Sequence, residues 1–234
     1  IAMLAAATSA ELSGATLTVA LGFTNRGLIE LTSVINGQAA VLNVSSGSLV
    51  NAAGGQINVL AGTGGGRTLG VQLDNRGTVT IHQALTLNGS SAAHRNSGTI
   101  TLSGGDFTVN QGGSTPSFTT TGTIDIPSGR TFTVSGGTLN YDAGTVGGAG
   151  TVNLSSTTAN FTPNFSTATT TLRLASMTLN GPGTVTHAVG QTLNADNSTI
   201  NAALVNQGLM VFRGAAINLG GSFENQASGT VRVL

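Results

Sequence analysis

The side chains able to do acid–base, nucleophilic or metal chemistry are scarce in this chain of 234 residues. It carries eight acids, eight arginines, three histidines, no cysteine and no lysine. The acids are Glu11, Glu30, Asp74, Asp106, Asp125, Asp142, Asp196 and Glu224, and none lies within three positions of another. Two carboxylates acting as acid and base, or several gathered on Ca²⁺, would have to be brought together by the fold. Asp106, Asp125 and Asp142 are spaced 19 and 17 apart, close to a candidate repeat length, but their offsets from the nearest strand positions place them on different faces. Asp74 and His94, 20 apart, are candidate neighbours. His94 and His187 occupy slots where equivalent segments carry Leu, Ile or Phe, which reads as partly buried, hydrogen-bonded histidine. His82 follows an apolar residue and points outward. Gly62-Thr-Gly-Gly-Gly66-Arg67 has the look of a phosphate loop, but it lacks Lys-Ser/Thr and a following helix pattern, so it reads as a flexible corner. Without thiols there is no disulfide framework and no thiolate metal site, and we expect no cofactor and no metal.

The elements that position these groups come from a returning phrase. It reads Phe23-Thr-Asn25-Arg-Gly27-Leu-Ile29-Glu-Leu31, then Leu73-Asp-Asn75-Arg-Gly77-Thr-Val79-Thr-Ile81. It returns as His94-Arg-Asn96-Ser-Gly98-Thr-Ile100-Thr-Leu102 and as Leu204-Val-Asn206-Gln-Gly208-Leu-Met210-Val-Phe212. Looser copies surround Gly55, Gly122, Gly150, Gly183 and Gly229, and successive glycines are 28, 22, 21, 24, 28, 33, 25 and 21 residues apart. Residues two and four after each glycine share one strand face and are almost uniformly apolar, from Ile29 and Leu31 to Val231 and Val233; His187 is the exception. A second alternating pair follows about ten residues later, as in Phe107 with Val109 and Phe132 with Val134. Short alternating strands repeating every 20–30 residues predict an all-β parallel β-helix (β-solenoid) of about nine or ten rungs, near 45 Å long. The general rule for parallel crossovers makes it right-handed.

The corner residues Asn25, Gly27, Asn75, Gly77, Asn96, Gly98, Asn206 and Gly208 read as one structural ladder. Glycine, and less readily Asn, accepts the positive φ of a sharp corner, and stacked Asn side chains can hydrogen-bond along the axis. The residue after each glycine is often Thr (Thr78, Thr99, Thr123, Thr151, Thr184, Thr230), an outward column that fits either ordinary strand pairing or an ice-binding face. The 33-residue interval between Gly150 and Gly183 departs from the repeat. Residues 155–171, with Phe161, Pro163 and Phe165, read as a loop excursion able to carry a binding face, or as a longer rung whose Phe residues cover the core.

We treat residues 1–234 as one solenoid domain. Net charge is zero, which leaves no footprint for nucleic acid, and no run of 18 apolar residues predicts membrane insertion. Ile1-Ala-Met-Leu-Ala-Ala-Ala-Thr lacks the basic flank of a signal peptide and reads as part of the first rung. No capping segment is evident at either end, so we expect end-to-end self-association or continuation in a longer chain.

The Asn-x-Gly-Thr-Ile-x-Leu phrases, with Ser128-Gly-Arg-Thr-Phe132-Thr-Val134-Ser-Gly-Gly-Thr-Leu139, resemble the β-helix of filamentous-haemagglutinin-type adhesins and autotransporter passengers of bacterial surfaces. The resemblance spans essentially the whole chain, but its motifs are degenerate and carry no fixed site residues. It implies a secreted, non-catalytic stalk, adhesin segment or fibre subunit at the cell surface, with a glycan or host surface as partner. The alternatives are an enzyme resembling pectate lyases, which the scattered acids disfavour, and a glycan- or ice-binding module.

Overall fold

The computed structural model describes residues 2–5, 15–35 and 37–234. Among them there is no helix, and short strands stack in parallel into a β-solenoid of about ten turns. Each full turn contributes three strands. Leading strands include Ala93–Asn96, Ser117–Thr120, Thr138–Tyr141, Thr158–Phe161 and Thr178–Asn180. Middle strands include Leu28–Ser33, Gln56–Val59, Thr78–Ile81, Thr99–Thr101 and Thr123–Asp125. Trailing strands run from Ala15–Val19 through Phe107–Asn110, Thr131–Ser135, Thr151–Ser155 and Thr171–Ala175 to Thr230–Val233. Ala40–Asn51 and Arg67–Asn75 each serve as trailing strand of one turn and leading strand of the next. The alternation dictates this: Thr131–Ser135 buries Phe132 and Val134 and turns its Thr and Ser outward, and nearly every strand repeats the pattern.

The apolar columns are not the single column that counting from glycine produces. Ile29, Ile57, Val79, Ile100 and Ile124 do stack in middle strands. Val152 instead stacks with Phe132 and Leu172 in trailing strands, and Met210 with Leu193 and Val231. The Gly150 and Gly208 phrases therefore lie one corner further round the turn than those of Gly27, Gly77 and Gly98. Phrases at two corners make the intervals around Gly150 irregular. The proposed excursion at 155–171 is accordingly a regular turn. Phe161 pairs with Tyr141 and Phe165 with Val185, each 20 residues away. Both rings are buried, 5.2 Å apart by centroids, and Pro163 sits in the corner between them.

The corner change coincides with a break in the middle stack between Thr145–Gly147 and Phe165–Ser166. Gly147 and Gly148 take φ of 154° and 137°, a region that side-chain-bearing residues avoid. The buried Thr170 hydroxyl bridges the gap, accepting from Gly148 N–H at 3.0 Å and donating to Gly148 C=O at 2.8 Å. Nearby, the core is densest in aromatics: Phe107 stacks on Phe132 at 5.4 Å with Phe118 against both.

Arg67 lies in the apolar trailing column between Ala40 and Leu85 and is 1% exposed. Its guanidinium donates to the carbonyls of Leu60 and Gly65, tying down the glycine-rich segment from inside. Burial pushes its pKa down. A Cβ on Gly62 would stand 2.2 Å from Ser33 O, and one on Gly64 2.0 Å from Ser33 Oγ. The segment read as a flexible corner is a solvent-facing corner held close against Ser33.

The phrase glycines also differ from expectation. Gly27, Gly77, Gly98 and Gly208 do not have positive φ; the reason for glycine is close approach. A Cβ on Gly77 would lie 2.2 Å from Gly55 O, and one on Gly98 2.1 Å from Gly77 O. Gly27 has open space instead. Gly98→Ala should therefore lower unfolding free energy by about 2–3 kcal/mol in urea titration. Gly27→Ala should change it by less than about 0.5 kcal/mol, and equal effects at both positions would refute the stacking argument.

Candidate functional site

The candidate site residues separate into two inward ladders and one half-buried, outward-facing array. At the corner between leading and middle strands, Asn25 donates from Nδ2 to Asn51 Oδ1, Asn51 to Asn75 and Asn75 to Asn96, each at 2.8 Å. Asn96 continues to Thr120 Oγ1 at 3.1 Å. The amides also donate to corner carbonyls, as Asn51 does to Gly55 O and Thr78 O, each at 3.2 Å. All five side chains are buried, so the ladder offers nothing to a ligand and satisfies polar groups of the corner instead. Asn51 was missed because it stands four positions before Gly55 rather than two; its in-register pairing with Asn25 and Asn75 depends on the fold.

Asn206 belongs to the other corner, between middle and trailing strands. It donates to Asn225 Oδ1 at 2.7 Å, and Gly208 N–H donates back to Asn206 Oδ1 at 3.2 Å. One turn earlier the same place is taken by His187, in register with Asn206. Its Nε2 is 3.1 Å from both Gln191 O and Leu209 O, which fixes the proton on that nitrogen. Nδ1 then accepts from Thr167 Oγ1 at 3.0 Å, and that oxygen accepts from Ala188 N–H. His187 is a ladder member in place of Asn. Desolvation lowers its pKa against the pull of the two carbonyls.

His94 differs. It lies inside the core between Leu73 and Phe118, 0% exposed. Its Nδ1 accepts from Leu73 N–H at 3.2 Å while Nε2 has no partner among the described residues. Burial lowers its pKa to about 4. Asp74, the expected neighbour, pairs in register with Arg95 on the outer side and forms an ion pair with Arg76 at 2.5 Å. His82 is exposed, with Nδ1 3.1 Å from Ser103 Oγ.

The remaining acids do not converge. Asp106 precedes a trailing strand and accepts from Thr131 N–H at 2.9 Å; Asp125 is exposed on a middle strand and Asp142 at a leading-to-middle corner. Among the described residues no three His, Cys, Asp or Glu gather to hold a metal ion. The outward threonines also redistribute. Thr78, Thr99 and Thr123 form one middle column that continues to Thr145, whereas Thr151 stacks between Thr131 and Thr171 in trailing strands.

The most ordered outward-facing feature, half-buried along most of its length, is one that the Asn-x-Gly phrase conceals. The segments Gly136-Gly-Thr138-Leu-Asn140, Ser156-Thr-Thr158-Ala-Asn160, Ser176-Met-Thr178-Leu-Asn180 and Asn197-Ser-Thr199-Ile-Asn201 repeat at intervals of 20, 20 and 21. Thr138, Thr158, Thr178 and Thr199 stack in register on the leading strands. Beside them Asn201 donates to Asn180, Asn180 to Asn160 and Asn160 to Asn140, at 2.9, 2.9 and 2.8 Å. The corner residues Gly136, Ser156, Ser176 and Asn197 have φ of 76°, 51°, 51° and 47°, the left-handed region where Gly and Asn are least strained. The signal was present as Thr-x-Asn at period 20. It was overlooked because the residue following each Asn differs: Tyr141, Phe161, Gly181 and Ala202.

No protein-family model, curated protein or solved structure gives a significant match to the chain.

The buried histidine sets an acid response. Its folded pKa, about 4, lies below the ordinary 6.5, so the unfolded chain takes up the proton first. This costs no stability above pH 6.5, an increasing amount as pH falls towards 4, and no further amount below that. The full effect is about 3 kcal/mol. Urea midpoints at pH 7 and pH 4.5 should differ less in His94→Leu than in the parent protein. An unchanged difference would show that His94 does not titrate on unfolding.

Proposed function

We propose that the chain is a non-catalytic structural module, a rigid β-solenoid segment of an extracellular stalk, adhesin or fibre at a bacterial cell surface. The observation that carries this reading is the trailing stack, hydrogen-bonded turn on turn from Ala15–Val19 to Thr230–Val233. Such a stack turns sequence length directly into axial length, and its many long-range backbone bonds resist bending and local opening. The dispersed acids favour this over a glycan-cleaving role, because two carboxylates must flank a scissile bond to act on it.

The turn ending at Leu234 presents apolar side chains. Val233 and Leu234 are 77% and 67% exposed, and an open cavity of about 370 Å³ lies among Phe212, Ile217, Leu219, Phe223, Val231 and Val233.

Negative-stain electron microscopy, with solution mass by light scattering, tests the reading. We expect uniform rods about 45–50 Å long for a single copy. Rods that lengthen into filaments as concentration rises would assign self-stacking, and discrete rods a stalk segment. Rounded particles, or release of reducing ends from polygalacturonate or neutral glucans, would overturn the proposal.

A further inference from the structure

We infer that the leading-strand face over residues 136–201 is a docking track for a neutral, linear polysaccharide lying along the solenoid axis. The inference stands apart from the stalk reading, since a rod need not bind sugar and a sugar-binding face need not belong to a stalk.

The chemistry of the face points to hydroxyl groups. Its Thr and Asn columns carry no formal charge, in keeping with an uncharged partner. Each interior amide of the Asn ladder uses one Nδ2–H and one Oδ1 lone pair on its neighbours, leaving one N–H and one lone pair. The threonines beside them add hydroxyls that both donate and accept. A sugar hydroxyl is also donor and acceptor at once, so every position on the track can meet either need. The groups are held in place beforehand: Thr is stiff at χ1, and the amides are pinned by the ladder.

Shape argues for a chain over a flat crystal face. Between the left-handed corner and the Thr column runs a shallow trough of about 320 Å³, with Ser156, Ser176, Thr178 and Thr199 along it. The same outward column continues from Asn140 to Thr119, joined by a 3.2 Å hydrogen bond, and on to Arg95 and Asp74. The groove there, about 210 Å³, is lined by Asp74, Arg76, Arg95 and Thr119, and its charges mark the end of the uncharged track. The trough spans three successive rungs, from Ser156 to Thr199, and fits an extended polymer whose sugars advance on the scale of one rung. A planar ice surface would meet the ridges and miss the trough.

The test is titration calorimetry of the full chain with neutral hexasaccharides (β-1,4-, β-1,3- and α-1,4-linked glucans) and a galacturonate hexasaccharide. Two double variants are compared: Thr158→Val with Thr178→Val on the track, and Thr78→Val with Thr99→Val on the middle strands. Valine keeps the β-branched shape, and unchanged melting temperatures confirm that both variants fold. We expect a neutral hexasaccharide to bind with Kd near ~1 mM or tighter, roughly tenfold weaker in the track variant and unchanged in the other. Binding of the galacturonate alone, binding of none, or equal affinity in parent and track variant would overturn the inference. Ice-crystal shaping that disappears in the track variant while no sugar binds would also overturn it, assigning the face to ice.

Discussion

The rest of this structure depends on superposition: backbone hydrogen bonds between turns form only if equivalent residues of successive turns lie above one another at about 4.8 Å. Whatever stands at a position must tolerate its neighbours in the column directly above and below. The columns of Ile, Val and Leu pack well under that constraint, and so do the hydrogen-bonded Asn columns. At one corner, Gly77, Gly98, Gly122 and Gly144 each face the carbonyl of the glycine one turn away at a distance that excludes a Cβ. Long charged side chains suit such columns poorly, and the scarcity of charge in the chain follows the same logic.

Burying polar groups at a corner is safe only when every one finds a partner. The two internal ladders show how the chain achieves this with different residues. Asn25, Asn51, Asn75 and Asn96 pass hydrogen bonds along one corner and end on a Thr hydroxyl. At the other corner, Thr167 and His187 precede Asn206 and Asn225. His187 fits because a neutral imidazole offers one donor and one acceptor, as an amide in a ladder must. His94 marks the opposite case, an imidazole in an apolar column with one nitrogen unsatisfied, and it is there that acid is expected to act first.

The change of corner near Gly147 and Gly148 divides the molecule into an N-terminal part with its buried Asn ladder before the middle strands and a C-terminal part with its ladder after them. Because the trailing stack passes through unbroken, the change costs no axial continuity. The outward Thr and Asn columns cross this change, beginning at Thr138 and Asn140 before it and running to Thr199 and Asn201 after it, which is where the docking face is proposed.

Much of the fold was legible in the sequence, since strand alternation and a 20-odd-residue return are local properties of the chain. The apolar residues at Ile29, Val79 and Ile100, the Asn ladder through Asn75 and Asn96, and the parallel solenoid follow from them directly. Register does not. The Gly150 and Gly208 phrases obey the same local rule as Gly77 but lie at another corner, and only the pairing of whole turns reveals it, turning an apparent excursion at Phe161 and Phe165 into ordinary core. Asn51, the ladder role of His187 and the outer column from Asn140 to Asn201 lay outside the phrase because partners about 20 residues away define them. Sequence alone determined which residues alternate in and out; tertiary stacking decided which of them meet, because hydrogen bonds along the axis join residues that are neighbours only after each turn has closed.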